Sequence, residues 1–137
     1  MITEPALLLQ SAIRSAMIAN AAFTALIPAA SILDVNMRPS VMPCLLIGEG
    51  QTLPGGDLAR HNHEVYLDFH IWAIEPGTVF IKQAVGALRT ALADHIHTLP
   101  GLNVADAHIT MARFMRDPDT VHSHAVVTLC CKVQEYA

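Results

Sequence analysis

"RHNHEVYLDFHIWAIEPG", Arg60 to Gly77, decides how this chain folds. From Val65 onward, Val65, Leu67, Phe69, Ile71 and Ala73 alternate with Tyr66, Asp68, His70 and Trp72. A period of two marks a strand with one buried and one wetter face. Pro76-Gly77 stops it. The same stretch holds His61, His63 and His70 beside Glu64 and Asp68. It reads either as a metal site or as the polar face of an ordinary strand.

The flanking sequence sets the architecture. Downstream, Thr78 is placed as the cap of "VFIKQAVGALRTALADHI". Ile81, Val85, Leu88, Leu92 and Ile96 recur at helical spacing, with Lys82, Arg89 and Asp94 off the stripe, which predicts an amphipathic helix. Leu99-Pro100-Gly101 ends that segment. Upstream, "CLLIGEGQ" is an apolar strand beginning at Cys44, and the Pro-Gly-Gly stretch from Thr52 to Asn62 is a long loop. Ile32 to Val35 is a short strand. At the N-terminus Thr3 is placed as the cap, with Glu4 and Pro5 in the first turn. Leu9, Ile13 and Met17 lie beside Leu8, Ala12 and Ala16 on a wide helical stripe. Asn20 ends this helix and "AAFTALIP" forms a second short one.

"ADAHITMARFMRDPDTVHSHAVVTLCCKVQE" reads as two antiparallel strands around the Asp117-Pro118-Asp119 turn. Val121, Ser123, Ala125, Val127, Leu129, Cys131 and Val133 form one face of the second strand. The expected fold is α+β in one domain over residues 1–137: a largely antiparallel sheet of four to five strands, with two main helices packed on one face.

Composition narrows the function. The 137 residues are 53% hydrophobic and 15% charged, and mean hydropathy is +0.40. Such a chain buries roughly two-thirds of its unfolded surface, enough for one core. A membrane span needs ~18 consecutive apolar residues, and the best candidate, Ser15 to Leu33, is interrupted by Asn20, Thr24, Pro28 and Ser31. The apolar surplus therefore predicts an oligomer interface. Open sheet edges, which take up partner strands, are one way to build it. Net charge is −4, so the chain lacks the basic footprint that grips nucleic acid. Cys44, Cys130 and Cys131 read as small buried residues, the last two pointing to opposite strand faces. The N-terminus has no basic n-region, so no secretory signal is expected and the chain is expected to be made and used in a cytoplasm.

Three His-x-His pairs, His61/His63, His95/His97 and His122/His124, are the metal candidates. No HExxH, CxxC or GxSxG accompanies them, and Ser123 between two histidines has both on the opposite strand face. "IGEGQTLPGG" lacks a phosphate-cradle pattern. No cofactor, metal or catalytic residue is expected. The competing reading is a small hydrolase or metal protein built on those pairs.

In order, the segments form a pattern. The N-terminal helices are followed by "SILDVNMRPSVMPCLLIGEG", by "EVYLDFHIWAIEPG", by "AVGALRTALAD", and by "RFMRDPDTVHSHAVVTLCCKV". This set resembles the tail-completion, or tail-terminator, proteins of long-tailed bacteriophages, prophages and gene transfer agents. The resemblance implies an α+β structural virion protein without enzyme activity. It implies a homo-oligomeric ring, usually a hexamer, capping the head-proximal end of the tail tube. Implied partners are the major tail tube protein and the head–tail connector or stopper protein, with genome DNA passing through the bore unbound. The implied location is the virion, after assembly in the host bacterial cytoplasm. Another neck or minor tail component is the neighbouring possibility.

A ring needs a heterologous interface, and the loop and turn supply candidates for contact with the tail tube or the next subunit. They are Asp57, Arg60, His61 and His63 around the loop, and Arg116, Asp117 and Asp119 at the turn. Tyr66 and Trp72 are aromatic anchors on the wetter strand face. The net charge predicts an acidic bore, which several of Arg14, Arg60 and Arg113 lining it would contradict. The histidines predict a pH sensitivity of assembly near pH 6.

Overall fold

The structure, a computed structural model, describes residues 4–34, 41–93, 98–119 and 121–136. The deciding stretch forms the strand it predicts, Asn62–Ile74. Elements run α1 (Pro5–Ala19), α2 (Ala21–Leu26), a single 3-10 turn (Ala29–Ser31), β1 (Ile32–Leu33) and β2 (Cys44–Pro54), then β3 (Asn62–Ile74), α3 (Val79–Ala93), β4 (Thr98–Leu99), β5 (Leu102–Arg116) and β6 (His122–Glu135). The sheet order is β1-β2-β3-β6-β5-β4. Among the described strands, β1–β2 is the one parallel pair. The α+β expectation holds: four long strands carry the sheet, and β1 and β4 are two-residue additions at its edges.

Register explains the core. Val65, Leu67, Phe69 and Ile71 of β3 stand opposite Cys131, Leu129, Val127 and Ala125 of β6. All eight are buried. Helices α1 and α3 cover this face, inserting Leu9, Ile13 and Met17 from one and Ile81, Val85 and Leu88 from the other. Phe23 of α2 closes one side. Among the described residues, no helix covers the opposite face of the sheet. Cys130 and Cys131 divide between the two faces as the pleat requires, and all three cysteines are free and buried.

Several local expectations are corrected. The N-cap of α1 is Glu4, whose carboxylate accepts from the Ala6 N–H; Thr3 lies outside the described residues. The cap of α3 comes from Glu75: its two oxygens accept from the N–H groups of Phe80 (3.1 Å) and Ile81 (3.2 Å). Thr78 contributes its backbone carbonyl to Lys82. The loop expected from Thr52 to Asn62 is shorter, because β2 continues through Pro54 and β3 begins at Asn62. The segment Leu99–Gly101 turns rather than ends: Gly101 sits at φ 80 and Thr98–Leu99 pair back onto Leu102–Asn103. Val121 is half exposed and leaves the buried face. Val35, the remainder of the predicted second helix at 94–96, and the His95/His97 pair lie outside the described residues. Asn20 behaves as expected, ending α1, and its side-chain oxygen accepts from the Phe23 N–H to cap α2.

Candidate functional site

The candidate residues separate to two ends of the long strands and the uncovered face between them. At one end, β2 and β3 are joined by residues 55–61. Asp57 organises this tip: its carboxylate accepts from the N–H of His61 (2.9 Å) and Asn62 (3.1 Å). The His61 N–H in particular holds that carboxyl below its ordinary range. Arg60 takes a left-handed conformation, φ 58, which lets the chain re-enter β3. Its guanidinium reaches the Asp57 carbonyl at 3.4 Å, and the residue is exposed. His61 is exposed, while His63 pairs with Glu135 at 2.7 Å. The two histidines thus do different things.

At the other end, Arg116 to Asp119 turn β5 into β6. Asp119 accepts from the Val121 and His122 N–H groups and pairs with the His122 ring. These contacts, the His122 ring first, hold its carboxyl low. Asp117 donates its N–H to the His122 carbonyl and its carboxylate accepts from the Asp119 N–H. Arg116 is exposed beside them.

The uncovered face joins the two ends. Trp72 is half-buried and stacks on His124, ring centroids 3.9 Å apart at 10°. His124, a metal candidate in the sequence, instead meets Trp72 through the Trp72–His124 register. Its Nε2 lies 3.0 Å from Nδ1 of His70, whose Nε2 in turn lies 3.3 Å from Glu49. Burial pushes His124 down to about 4, the nearby His70 adding to this and Asp117 opposing it. Gly48 is needed here, since a Cβ there would stand 2.7 Å from the His70 ring. Tyr66 lies half-buried on the same face, its hydroxyl toward Glu64 and its burial beside Glu49, Gln51, Asp68 and Thr128 lining a shallow hollow. Asp68 accepts from Thr128 at 2.7 Å.

This arrangement sets a pH response. A histidine with a lowered folded pKa takes its proton in the unfolded chain first, so stability falls as pH drops from about 6.5 to about 4 and then levels. The expected loss between pH 7 and 4 is about 1–2 kcal/mol, discounted because the ring is only partly buried. Urea midpoints at pH 7, 5.5 and 4 check it, with Trp72 fluorescence as the local probe, since it is the single tryptophan. His124→Gln should flatten that part of the profile; an unchanged profile would refute the assignment.

Among the described residues, no three His, Cys, Asp or Glu side chains gather as a metal site requires, and no helix is long and apolar enough to cross a membrane. His122 and His124 share a strand face but engage Asp119 and the His70–Trp72 pair respectively.

Comparison with known proteins fits this assembly-like surface. No curated protein sequence matches the chain. Among solved structures, a chain of the "Virion of native gene transfer agent (GTA) particle" matches with a TM-score of 0.81 at 18% identity, covering 96% of this chain and 99% of that one. That likeness is one of fold. The profile of the family "Tail completion protein gp17" matches residues 11–133, and the chain therefore belongs to the tail completion protein gp17 family.

Proposed function

We propose that this chain is a structural virion protein, without enzyme activity, that forms a ring closing the head-proximal end of a phage tail tube and joining it to the head connector. The observation that carries this reading is the family match over residues 11–133. The GTA virion chain of the same fold supports a place in the particle. Two differently built ends on one subunit support a heterologous contact, which rings require. Assembly takes place in the host cytoplasm, and the tube protein and connector are its partners.

The uncovered sheet face is the surface assigned to the bore. Its side chains include Glu49, Glu64, Asp68 and Asp106 against Arg113 and Lys132, a surplus of carboxylates. Such a surface lets DNA pass without gripping its phosphates. Arg14 lies on α1 and Arg60 on the tip, away from this face.

Deleting the gene from a phage or transfer agent that carries it tests the reading. The expected product is filled heads and separate tails that do not join, restored by the gene in trans. Joined, infectious particles from the deletion would refute it.

A further inference from the structure

Large apolar side chains without cover mark the two strand ends differently. At the tip of residues 55–61, Leu58 is 100% exposed. The turn beneath it is fixed by the Asp57 carboxylate and by the left-handed Arg60. Leu58 is therefore a held knob rather than a side chain on a loose loop. β3 spans 13 residues, so the other end lies about 40 Å away at strand rise.

There, Met42, Pro43, Ala73, Ile74 and Phe80 line a pocket of about 200 Å³. This is smaller than the roughly 300–1,000 Å³ typical of small-molecule sites, and suits one aliphatic side chain. Its surroundings are apolar and exposed: Ile74 67%, Val79 67%, Val41 50% and Val121 50%. Val121 belongs here because its carbonyl accepts from the Glu75 N–H. Charge matches as well. Arg60, exposed and two residues from the knob, is the tip's cation, and the turn next to the pocket bears Asp117 and Asp119 against the single Arg116.

We propose that Leu58 of one copy seats in the Met42–Phe80 pocket of the next copy, head to tail, with Arg60 against the Asp117–Asp119 turn. The contact joins two different patches, so it is heterologous and closes into a ring when the rotation per step allows. It rests on the ring reading above and names the junction between subunits. It also gives the tip and turn one shared role.

The test uses the full chain at a concentration where it self-associates, read by native mass. Leu58→Asp removes the knob and Ile74→Asp spoils the pocket; both sites are exposed, so melting curves should stay close to wild type. Each variant alone should weaken association about 100-fold or more, the scale for a charge buried without a partner. Leu58→Met should associate normally. Mixed together, the two variants retain one intact tip and one intact pocket, and should form dimers and nothing larger. Wild-type-sized assemblies from Leu58→Asp, or a mixture that stays monomeric, overturn the junction and leave the ring reading standing. A wild-type chain that stays monomeric up to millimolar concentration overturns the junction and self-assembly together.

Discussion

Replacing Phe69 with alanine is expected to cost about 3–5 kcal/mol of folding stability. Phe69 is fully buried at the centre of the sheet, between Ile47 of β2 and Val127 of β6. Its ring meets the helical layer on the covered face. Neighbours held by hydrogen-bonded strands on both sides cannot collapse far into the space it leaves, so a cavity term adds to the lost transfer energy. Domains of this kind carry about 5–15 kcal/mol in total, and the melting temperature should fall by about 10 °C or more. Phe69→Leu retains most of the volume and should cost less than half as much. A loss below about 1 kcal/mol for the alanine variant would show that the centre of the core lies elsewhere.

Glu75→Ala is expected to cost about 2–3 kcal/mol, a large effect for a residue at the end of a strand. Its carboxylate caps α3 and also accepts from the Ser123 hydroxyl at 2.9 Å. Ser123 is completely buried, so removing its acceptor strands a polar group away from water. One side chain thus ties α3 to the β3–β6 ladder. Burial works against the charge, but the Phe80 N–H, the Ser123 hydroxyl and the Ile81 and Val79 N–H groups outweigh it, and the carboxyl sits below its ordinary 4.5. A lowered folded pKa means this stability is present above about 4.5 and is lost as pH falls through the folded value. Chemical denaturation of wild type and Glu75→Gln from pH 6 to 3 measures both effects. Glu75→Gln keeps an acceptor oxygen but cannot titrate, so its profile should be flatter at the acid end. Equal slopes would remove Glu75 from this role.

These residues also show where sequence reasoning stops. The alternation from Val65 to Ala73 fixes β3 and its buried face because the period of two is a local property. The stripes of α1 and α3 are legible for the same reason. The Glu75 cap is not, because it reaches across Pro76-Gly77 to N–H groups five and six residues on, and to Ser123 on another strand. Thr78 looks like the better cap only when the chain is read locally. The His70–His124–Trp72 stack depends on register between strands more than fifty residues apart, which spacing does not encode. β4 escapes because two residues carry no period. Asp57, Arg60, Asp117 and Asp119 stand out as turn chemistry, but the sequence does not show that the tip and the turn lie at opposite ends of one sheet. That separation turns two unrelated loops into the two halves of the proposed junction.

The most direct test of the tail-completion assignment is a cryo-electron microscopy map of the head–tail junction of a particle built with this chain. The ring reading predicts a single closed ring of this chain between the tail tube and the connector, with the uncovered sheet face toward the DNA. A map with this chain absent from the junction, or located along the tube or at the distal tip, would contradict it.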